Sequence, residues 1–131
     1  MVRLKYLLDT NMCIYLMNQR PDSVIQKFAK CKPGEVSISS ITWAELCCGM
    51  DTHNNKNEIM ELLGRLMPQA FGTDAGIIFG QLSQQFPNRK SSFDRMIAAH
   101  ALALGVILVT NNLADFEVYK SAGLMLENWA T

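Results

Sequence analysis

The chain has 131 residues, a formal net charge of zero, and hydrophobic and charged fractions of 49% and 18%. This composition excludes a disordered chain and a polar repeat array, and the length predicts one domain over residues 1–131. The balanced charge argues against a broad basic surface for nucleic acid, but it is compatible with a nuclease that has a local basic rim.

The sequence predicts neither a signal peptide nor a membrane span. The N-terminal apolar run ends at Asp9, so it is too short for the core of a signal peptide. The longest apolar stretch, residues 97–109, is about five residues too short to span a bilayer. We therefore expect a cytoplasmic protein. Its cysteines lack zinc-ligand spacing and are expected to be small buried thiols: Cys13, Cys31, Cys47 and Cys48.

The N-terminal half predicts two strands, each followed by helical segments. A short apolar run indicates the first strand, and alternation of apolar and polar residues indicates the second. Apolar residues at helical spacing indicate the helices. The predicted elements are a strand over 4–8, helices over 12–18 and 21–29, and a strand over 36–39. Thr42 and Glu45 have the spacing of a capping box, which predicts a helix that opens there and runs to Cys48.

The C-terminal half predicts three further helices and one strand. A polar loop over 51–57 separates it from the preceding helix. The helices are expected over 59–66, 74–85 and 93–104, and the uninterrupted apolar run 106–109 is expected to be a buried strand. This alternation of strands and helices predicts an α/β fold, in which helices cover both faces of a parallel sheet.

Four acidic residues are predicted near one edge of this sheet. Ligands bind beyond the carboxyl ends of parallel strands, so polar residues that follow the strands are candidate site residues. Two acids follow the first and last predicted strands, one lies a helical turn beyond the second strand, and one begins the helix over 93–104: Asp9, Asp115, Glu45 and Asp94. Each of them, taken singly, also has a structural explanation as a helix cap or a turn residue.

Four carboxylates that meet at one edge require a counter-charge. Repulsion between two carboxylates about 4 to 5 Å apart is of order 3 to 4 kcal/mol at an effective dielectric constant of about 20. A divalent cation would offset this repulsion, and oxygen ligands without His or Cys favour Mg²⁺, or Mn²⁺ as a substitute, over zinc. Such an ion activates water and polarises a phosphoryl oxygen, so the pattern favours phosphodiester hydrolysis.

Several segments carry a family resemblance when they are taken together. They are Tyr6–Asn11, Ser39–Leu46, Phe93–Ala101 and Val109–Phe116, followed by Leu126–Trp129 near the C-terminus. In this order and spacing, over essentially the whole chain, the sequence resembles the VapC toxins, which are PIN-domain ribonucleases of type II toxin–antitoxin systems.

The resemblance implies a single PIN domain with a three-layer α/β/α fold and a central parallel sheet. It also implies that the four acids hold Mg²⁺ and cut RNA, tRNA among the substrates, so that translation is arrested. Further implications are a homodimer and a VapB-like antitoxin partner. Matching motif by motif assigns the metal and catalysis to Asp9, Glu45, Asp94 and Asp115, with support from Thr10, Asn11 and Asn112.

Basic and aromatic residues add weaker expectations. Arg89, Lys90 and Arg95 lie beside Asp94 in sequence and are candidates for an RNA-phosphate rim, with a solvated surface as the alternative. Lys27, Lys30 and Lys32 form a second basic cluster. His100 lies inside an apolar helix, so we expect it to pack or hydrogen-bond in the core. The apolar richness of residues 12–17 suggests a surface for a partner.

The leading hypothesis is therefore a Mg²⁺-dependent endoribonuclease toxin. One alternative is a PIN-like module that binds a partner without catalysis. Another is an aspartate-based phosphatase or phosphoacceptor on a related sheet, which is disfavoured because Thr10 and Asn11, and no second acid, follow Asp9.

Overall fold

The computed structural model describes residues 2–50, 56–88 and 93–131. This part of the chain contains four short strands, seven α-helices and one 3₁₀ helix. In chain order they are β1 (Tyr6–Leu8), α1 (Thr10–Asn18), α2 (Asp22–Ala29), β2 (Val36–Ile38), α3 (Ser40–Met50), α4 (Lys56–Leu66), α5 (Thr73–Gln85), α6 (Phe93–Leu104), β3 (Ile107–Val109), α7 (Leu113–Phe116), the 3₁₀ helix (Glu117–Ala122) and β4 (Met125–Glu127).

The four strands form one parallel sheet with the order β2-β1-β3-β4. Leu8 at the end of β1 is level with Ile38 on one side and Val109 on the other, so these three strands end together. The chain leaves β1 toward β2 on one side and reaches β3 on the other. A crevice at the carboxyl ends of β1 and β3 is therefore expected, as in other open parallel sheets.

Side chains of the sheet alternate between two hydrophobic cores. Leu8 and Val109 face a core shared with α1 to α4, whereas Leu7 and Leu108 face a core shared with α5, α6 and the 3₁₀ helix. All four of these leucine and valine side chains are fully buried. The predicted fold class is confirmed, because helices cover both faces of a parallel sheet and form the outer layers of a three-layer α/β/α domain.

The three predicted strands are present, but β4 was not predicted. It pairs with β3 at the edge of the sheet, and its backbone continues the ladder where the amide of Thr110 donates to the carbonyl of Glu127 at 2.9 Å. Met125 at its start is 49% exposed. A three-residue edge strand with one exposed apolar side chain carries too little periodicity to be recognised locally.

The capping-box prediction for α3 is wrong. The helix starts at Ser40, so Thr42 lies inside its first turn, where it is fully buried. Ser39 precedes the helix, and its Oγ accepts a hydrogen bond from the amide of Ile41 at 3.0 Å. Glu45 therefore does not cap the helix, and its carboxylate has a different hydrogen-bond partner, described below.

Two further predictions concern membrane-spanning helices and the burial of the cysteines. Within the described ranges, no helix combines the length and the apolar character that a membrane crossing requires. The expectation of buried thiols holds for Cys13, whereas Cys31 is half-buried and Cys47 and Cys48 on α3 are exposed.

Candidate active site at the carboxyl edge of the sheet

Asp9 occupies the position directly after β1 and caps helix α1. Its side chain is 6% exposed, and one carboxylate oxygen, Oδ1, accepts a hydrogen bond from the amide of Met12 at 2.9 Å. The hydroxyl of Thr110, which follows β3, donates a second hydrogen bond to this carboxylate. The predicted capping role and the predicted position at the sheet edge are thus both correct for Asp9.

Two other predicted acids act on Asp9 through their charge. Burial raises the pKa of Asp9 above its usual value, and the carboxylates of Asp94 and Glu45 raise it further. The hydrogen bonds from Thr110 and Met12 oppose this shift because they stabilise the ionised form. Three acids that are 36 or more positions apart in the sequence therefore share one electrostatic environment.

Glu45 is held in place by Thr10. The Thr10 hydroxyl donates to Oε1 of Glu45 at 2.9 Å, which joins the first turn of α1 to the middle of α3. Because Thr10 follows Asp9 directly, this contact brings the second predicted acid to the end of β1. The supporting role that the sequence assigned to Thr10 thus has a geometric basis.

Asp94 and Asp115 approach the same edge from the other core. Asp94 lies in the first turn of α6, the helix that precedes β3. Asp115 lies in α7, the short helix that follows β3. Asn112 donates a hydrogen bond from Nδ2 to Oδ2 of Asp115. The amide of Asn112 in turn donates to Thr110 Oγ1 at 2.9 Å, so Asp115 is linked to Asp9 through two residues.

Asn11 and Asn111 connect the two strand ends at the surface. Asn11 Nδ2 donates to Asn111 Oδ1 at 3.4 Å, and Asn111 Nδ2 donates to the hydroxyl of Tyr15 at 2.6 Å. The sequence predicted a supporting role for Asn11 and placed Tyr15 in the apolar segment 12–17 that suggested a partner surface. It gave Thr110, Asn111 and Tyr15 no role in the acidic site. The signal that could have found two of them is the run of three polar residues directly after β3.

The prediction of an RNA rim is wrong for Arg95. This side chain is 3% exposed and points into the second core, where it donates to the Tyr119 hydroxyl at 3.3 Å, to Ser83 Oγ at 3.1 Å and to the carbonyl of Phe86 at 3.1 Å. Successive residues of a helix are about 100 degrees apart, so Arg95 faces α5 while Asp94 faces the sheet edge. Arg89 and Lys90 lie outside the described residues.

The second basic cluster lies at the opposite end of the sheet. Residues 30–35 lead into β2, and the carbonyl of Glu35 accepts hydrogen bonds from the amides of Lys5 and Tyr6 at the start of β1. Lys30 and Lys32 are therefore near the amino ends of the strands, and Lys27 is in the last turn of α2 just before them. These lysines do not flank the acidic site.

His100 is a core residue, as predicted. It is 2% exposed, and its Nδ1 is 2.8 Å from Ser39 Oγ. Phe71 packs edge-on against its ring, at a centroid separation of 5.5 Å. Burial lowers the pKa of His100, and a hydrogen bond with the backbone of Ala70 only partly offsets this effect.

The donor set suits a hard divalent cation. The acids offer carboxylate oxygens, and the neighbouring Thr and Asn side chains add neutral oxygens, which are the ligand types of Mg²⁺ and Mn²⁺. Over residues 2–50, 56–88 and 93–131, no three Asp, Glu, His or Cys side chains converge closely enough to hold one ion in common. Mg²⁺ is commonly held by one or two carboxylates and several waters, so the residues present still fit the ion.

The parallel sheet, with Asp9 at the end of β1 and other acids near the same edge, has the arrangement of a known domain family. The family model for the PIN domain matches residues 6–120, from β1 to the 3₁₀ helix. The chain therefore contains a PIN domain, which includes the sheet and the acids at the ends of its strands.

Curated relatives narrow the assignment. The chain is 32% identical over 133 residues to the tRNA(fMet)-specific endonuclease VapC of Salmonella typhimurium, a match that covers 96% of this chain and 98% of the relative. It is 33% identical over 132 residues to ribonuclease VapC2 of Rickettsia felis, with 95% and 97% of the two chains covered. The chain belongs to the VapC family of PIN-domain ribonucleases.

Solved structures agree with this family. A chain in the crystal structure of VapBC2 from Rickettsia felis, bound to a DNA fragment from its promoter, superposes with a TM-score of 0.85 and 32% identity, covering 96% of this chain and 99% of that one. A chain in the structure of DNA-bound VapBC from Salmonella typhimurium gives a TM-score of 0.86 at 32% identity, with 96% and 98% covered.

Proposed function

We propose that this chain is a Mg²⁺-dependent endoribonuclease toxin whose metal and catalytic residues are Asp9, Glu45, Asp94 and Asp115. The observation that carries the proposal is the buried carboxylate of Asp9 at the end of β1, within the electrostatic influence of Asp94 and Glu45. A cation bound beside a buried acid with like charges nearby would compensate these charges and favour the ionised form of the acid. Mn²⁺ would substitute for Mg²⁺ on the same oxygen ligands.

The chain's own residues orient the acids for this role. The amide of Met12 and the hydroxyl of Thr110 hold the Asp9 carboxylate, and the hydroxyl of Thr10 holds Glu45. Asn112 holds Asp115. When bound at these acids, Mg²⁺ would supply an activated water and polarise a phosphoryl oxygen of RNA. Such fixed positions keep the cost of reorganisation low during the reaction.

We further propose tRNA(fMet) as the first substrate to test. Two curated relatives, from Salmonella typhimurium and Shigella flexneri, carry the name tRNA(fMet)-specific endonuclease VapC, and they are 32% and 33% identical to this chain. Cutting an initiator tRNA in the cytoplasm would arrest translation. The relatives named only as ribonucleases make total cellular RNA the necessary second substrate pool.

The proposed partners are a VapB-like antitoxin and a second copy of this chain. The structural neighbours with high TM-scores come from VapBC complexes of Rickettsia felis, Haemophilus influenzae and Salmonella typhimurium, which supports an antitoxin. The homodimer rests on the family resemblance, and light scattering of the isolated chain tests it.

A cleavage assay tests the activity. The purified chain, freed of bound partner, is incubated with a tRNA(fMet) transcript and with total RNA in Mg²⁺ or Mn²⁺, and new RNA ends are sequenced. We expect discrete cuts that EDTA and Asp9→Asn abolish. Asp74→Asn is the matched control, because Asp74 lies in the first turn of α5 and is exposed. Cleavage by Asp9→Asn would refute the site, and the absence of cuts in both pools would favour the non-catalytic partner-binding alternative.

A further inference from the structure

A pocket lies on the exposed side of the C-terminal half of α1 and the turn that follows it. It has a volume of about 370 Å³, within the range of pockets that bind small organic groups, and it is lined by Ile14, Tyr15, Asn18, Arg20 and Pro21. Its lining is mainly apolar, although Ile14 at its wall is 37% exposed to solvent.

One residue of the lining, Tyr15, links the pocket to the polar segment that follows β3. The hydroxyl of this residue accepts a hydrogen bond from Asn111 at 2.6 Å, and Asn111 lies in the polar segment that follows β3. Tyr15 is also six residues after Asp9 on the same helix, about 9 Å along the helix axis. An RNA strand that runs from Asp9 past Asn111 would bring a nucleotide near Tyr15.

The chemistry of the lining suits one kind of occupant. Tyr15 packs against the first core and is half-buried, so its ring is held rigidly, and its bond to Asn111 holds the hydroxyl end. A fixed aromatic ring is a stacking platform for any unpaired base. The exposed guanidinium of Arg20 complements the charge of the RNA backbone and can also stack on a base.

We propose that this pocket binds an unpaired nucleobase next to the scissile phosphate, with Tyr15 as the stacking residue and Arg20 as its cationic partner. This inference rests on the proposed ribonuclease function and assigns it a binding subsite. The pocket would then contribute to the choice of the cleaved RNA, because it requires a base that can leave its helix.

Abasic RNA provides the test. A synthetic RNA that spans the mapped cut is prepared intact and with a single abasic nucleotide at each position around the cut. Affinity is measured with the Asp9→Asn chain, which leaves the RNA uncut, and KM and kcat are measured with the active chain. Tyr15→Leu keeps apolar volume in the pocket and removes the ring, and Arg20→Gln removes the charge.

We expect Tyr15→Leu to weaken binding and raise KM for intact RNA by roughly 10-fold, the typical size of one base–aromatic stack. An abasic nucleotide at one position should weaken RNA binding by the same factor when the chain keeps Tyr15. The same RNA should bind the Tyr15→Leu chain no more weakly than intact RNA does. Arg20→Gln should weaken binding at low salt more than at high salt. Phe28→Leu is the matched control, since this half-buried aromatic belongs to the same core but lies in the second half of α2, away from the acids.

Two outcomes overturn the inference while the proposed function stands. One is an active chain in which Tyr15→Leu loses the same affinity for intact RNA and for every abasic RNA. The other is unchanged RNA binding together with weakened capture of the antitoxin, which would assign the pocket to the protein partner. A chain that cuts no RNA at all fails the proposed function itself and is recognised before the variants are compared.

Discussion

The hydroxyl of Thr10 donates a hydrogen bond to Oε1 of Glu45 at 2.9 Å, across 35 positions of sequence. Thr10 opens α1 and Glu45 lies in α3, so this contact determines how one acid of the proposed site faces Asp9. The bond engages one carboxylate oxygen of Glu45, Oε1.

Removing the Thr10 hydroxyl should impair cleavage more than folding. Thr10→Val keeps the shape of the side chain but lets Glu45 rotate, and we expect cleavage to fall by about 10- to 100-fold, as is typical when a residue that orients a metal ligand is lost. Stability should change by about 1 kcal/mol, the net value of one hydrogen bond. Thr10→Ser should retain most activity. Full activity of Thr10→Val would show that Glu45 needs no such support.

Divalent cations should stabilise the chain through Asp9. We expect Mg²⁺ or Mn²⁺ to raise the melting temperature of the wild-type chain and to have little effect on Asp9→Asn, because ligand binding to the folded state alone adds stability. Differential scanning fluorimetry with and without EDTA measures both. Asp74→Asn should respond like the wild type, and an equal response of Asp9→Asn would place the ion elsewhere.

In EDTA, Asp9→Asn should be at least as stable as the wild type at neutral pH. The pKa of Asp9 is raised in the folded chain, so ionisation of this carboxyl costs stability once the pH exceeds its unfolded pKa, and the cost is complete above the folded pKa. Asparagine removes the charge and is a good N-cap, so the bond from the amide of Met12 can persist. A marked loss of stability would indicate that the cap requires the charge.

Protonation of His100 should destabilise the fold in mild acid. Burial lowers the pKa of His100 below its ordinary value of 6.5, so the unfolded chain binds the proton more readily, and stability falls as the pH drops below 6.5. The slope from this one group stays under about 1.4 kcal/mol per pH unit. Urea unfolding at about pH 7.5 and about pH 5.5 should show a smaller loss for His100→Gln than for the wild type. Equal losses would contradict the assignment.

Arg95 should stabilise the folded chain, because its guanidinium is buried among Tyr119, Ser83 and Phe86. We expect Arg95→Leu to reduce the free energy of unfolding by about 2 to 4 kcal/mol, since buried hydrogen-bonding partners lose their donor. Arg65→Leu should change it by less than about 0.5 kcal/mol, because Arg65 is exposed and its ion pair with Glu61 is long, at 3.8 Å.

A milder variant distinguishes the buried role from a role at an RNA rim. Arg95→Lys keeps the charge but cannot reproduce the forked hydrogen bonds, so it should also be destabilised in urea. If this variant were as stable as the wild type and bound RNA more weakly, the rim interpretation would be restored.

Local sequence patterns predicted most of the elements. The helix over 93–104 has the predicted bounds, and the helix predicted over 74–85 begins one residue earlier, at Thr73. The strands β1, β2 and β3 lie inside the three segments over which they were predicted, 4–8, 36–39 and 106–109. Such elements are recognisable because apolar periodicity and capping residues act over a few neighbouring positions.

The arrangement of side chains around the predicted acids was decided by tertiary packing. Glu45 has the spacing of a capping residue, yet it pairs with Thr10, and Arg95 follows a site residue, yet it is buried. Helical geometry separates neighbours by about 100 degrees, so adjacent residues such as Asp94 and Arg95 face different surroundings. No local pattern reports which surroundings these are.

The sequence by itself determined the fold class, the family and the four candidate acids, because these depend on periodicity and on motifs in a fixed order. Only the tertiary structure decided how Thr110, Asn112 and Thr10 hold the acids, and that Asn111 links the site to Tyr15. The physical reason is that these contacts join residues up to 101 positions apart, which come together only when both helical layers pack on the sheet.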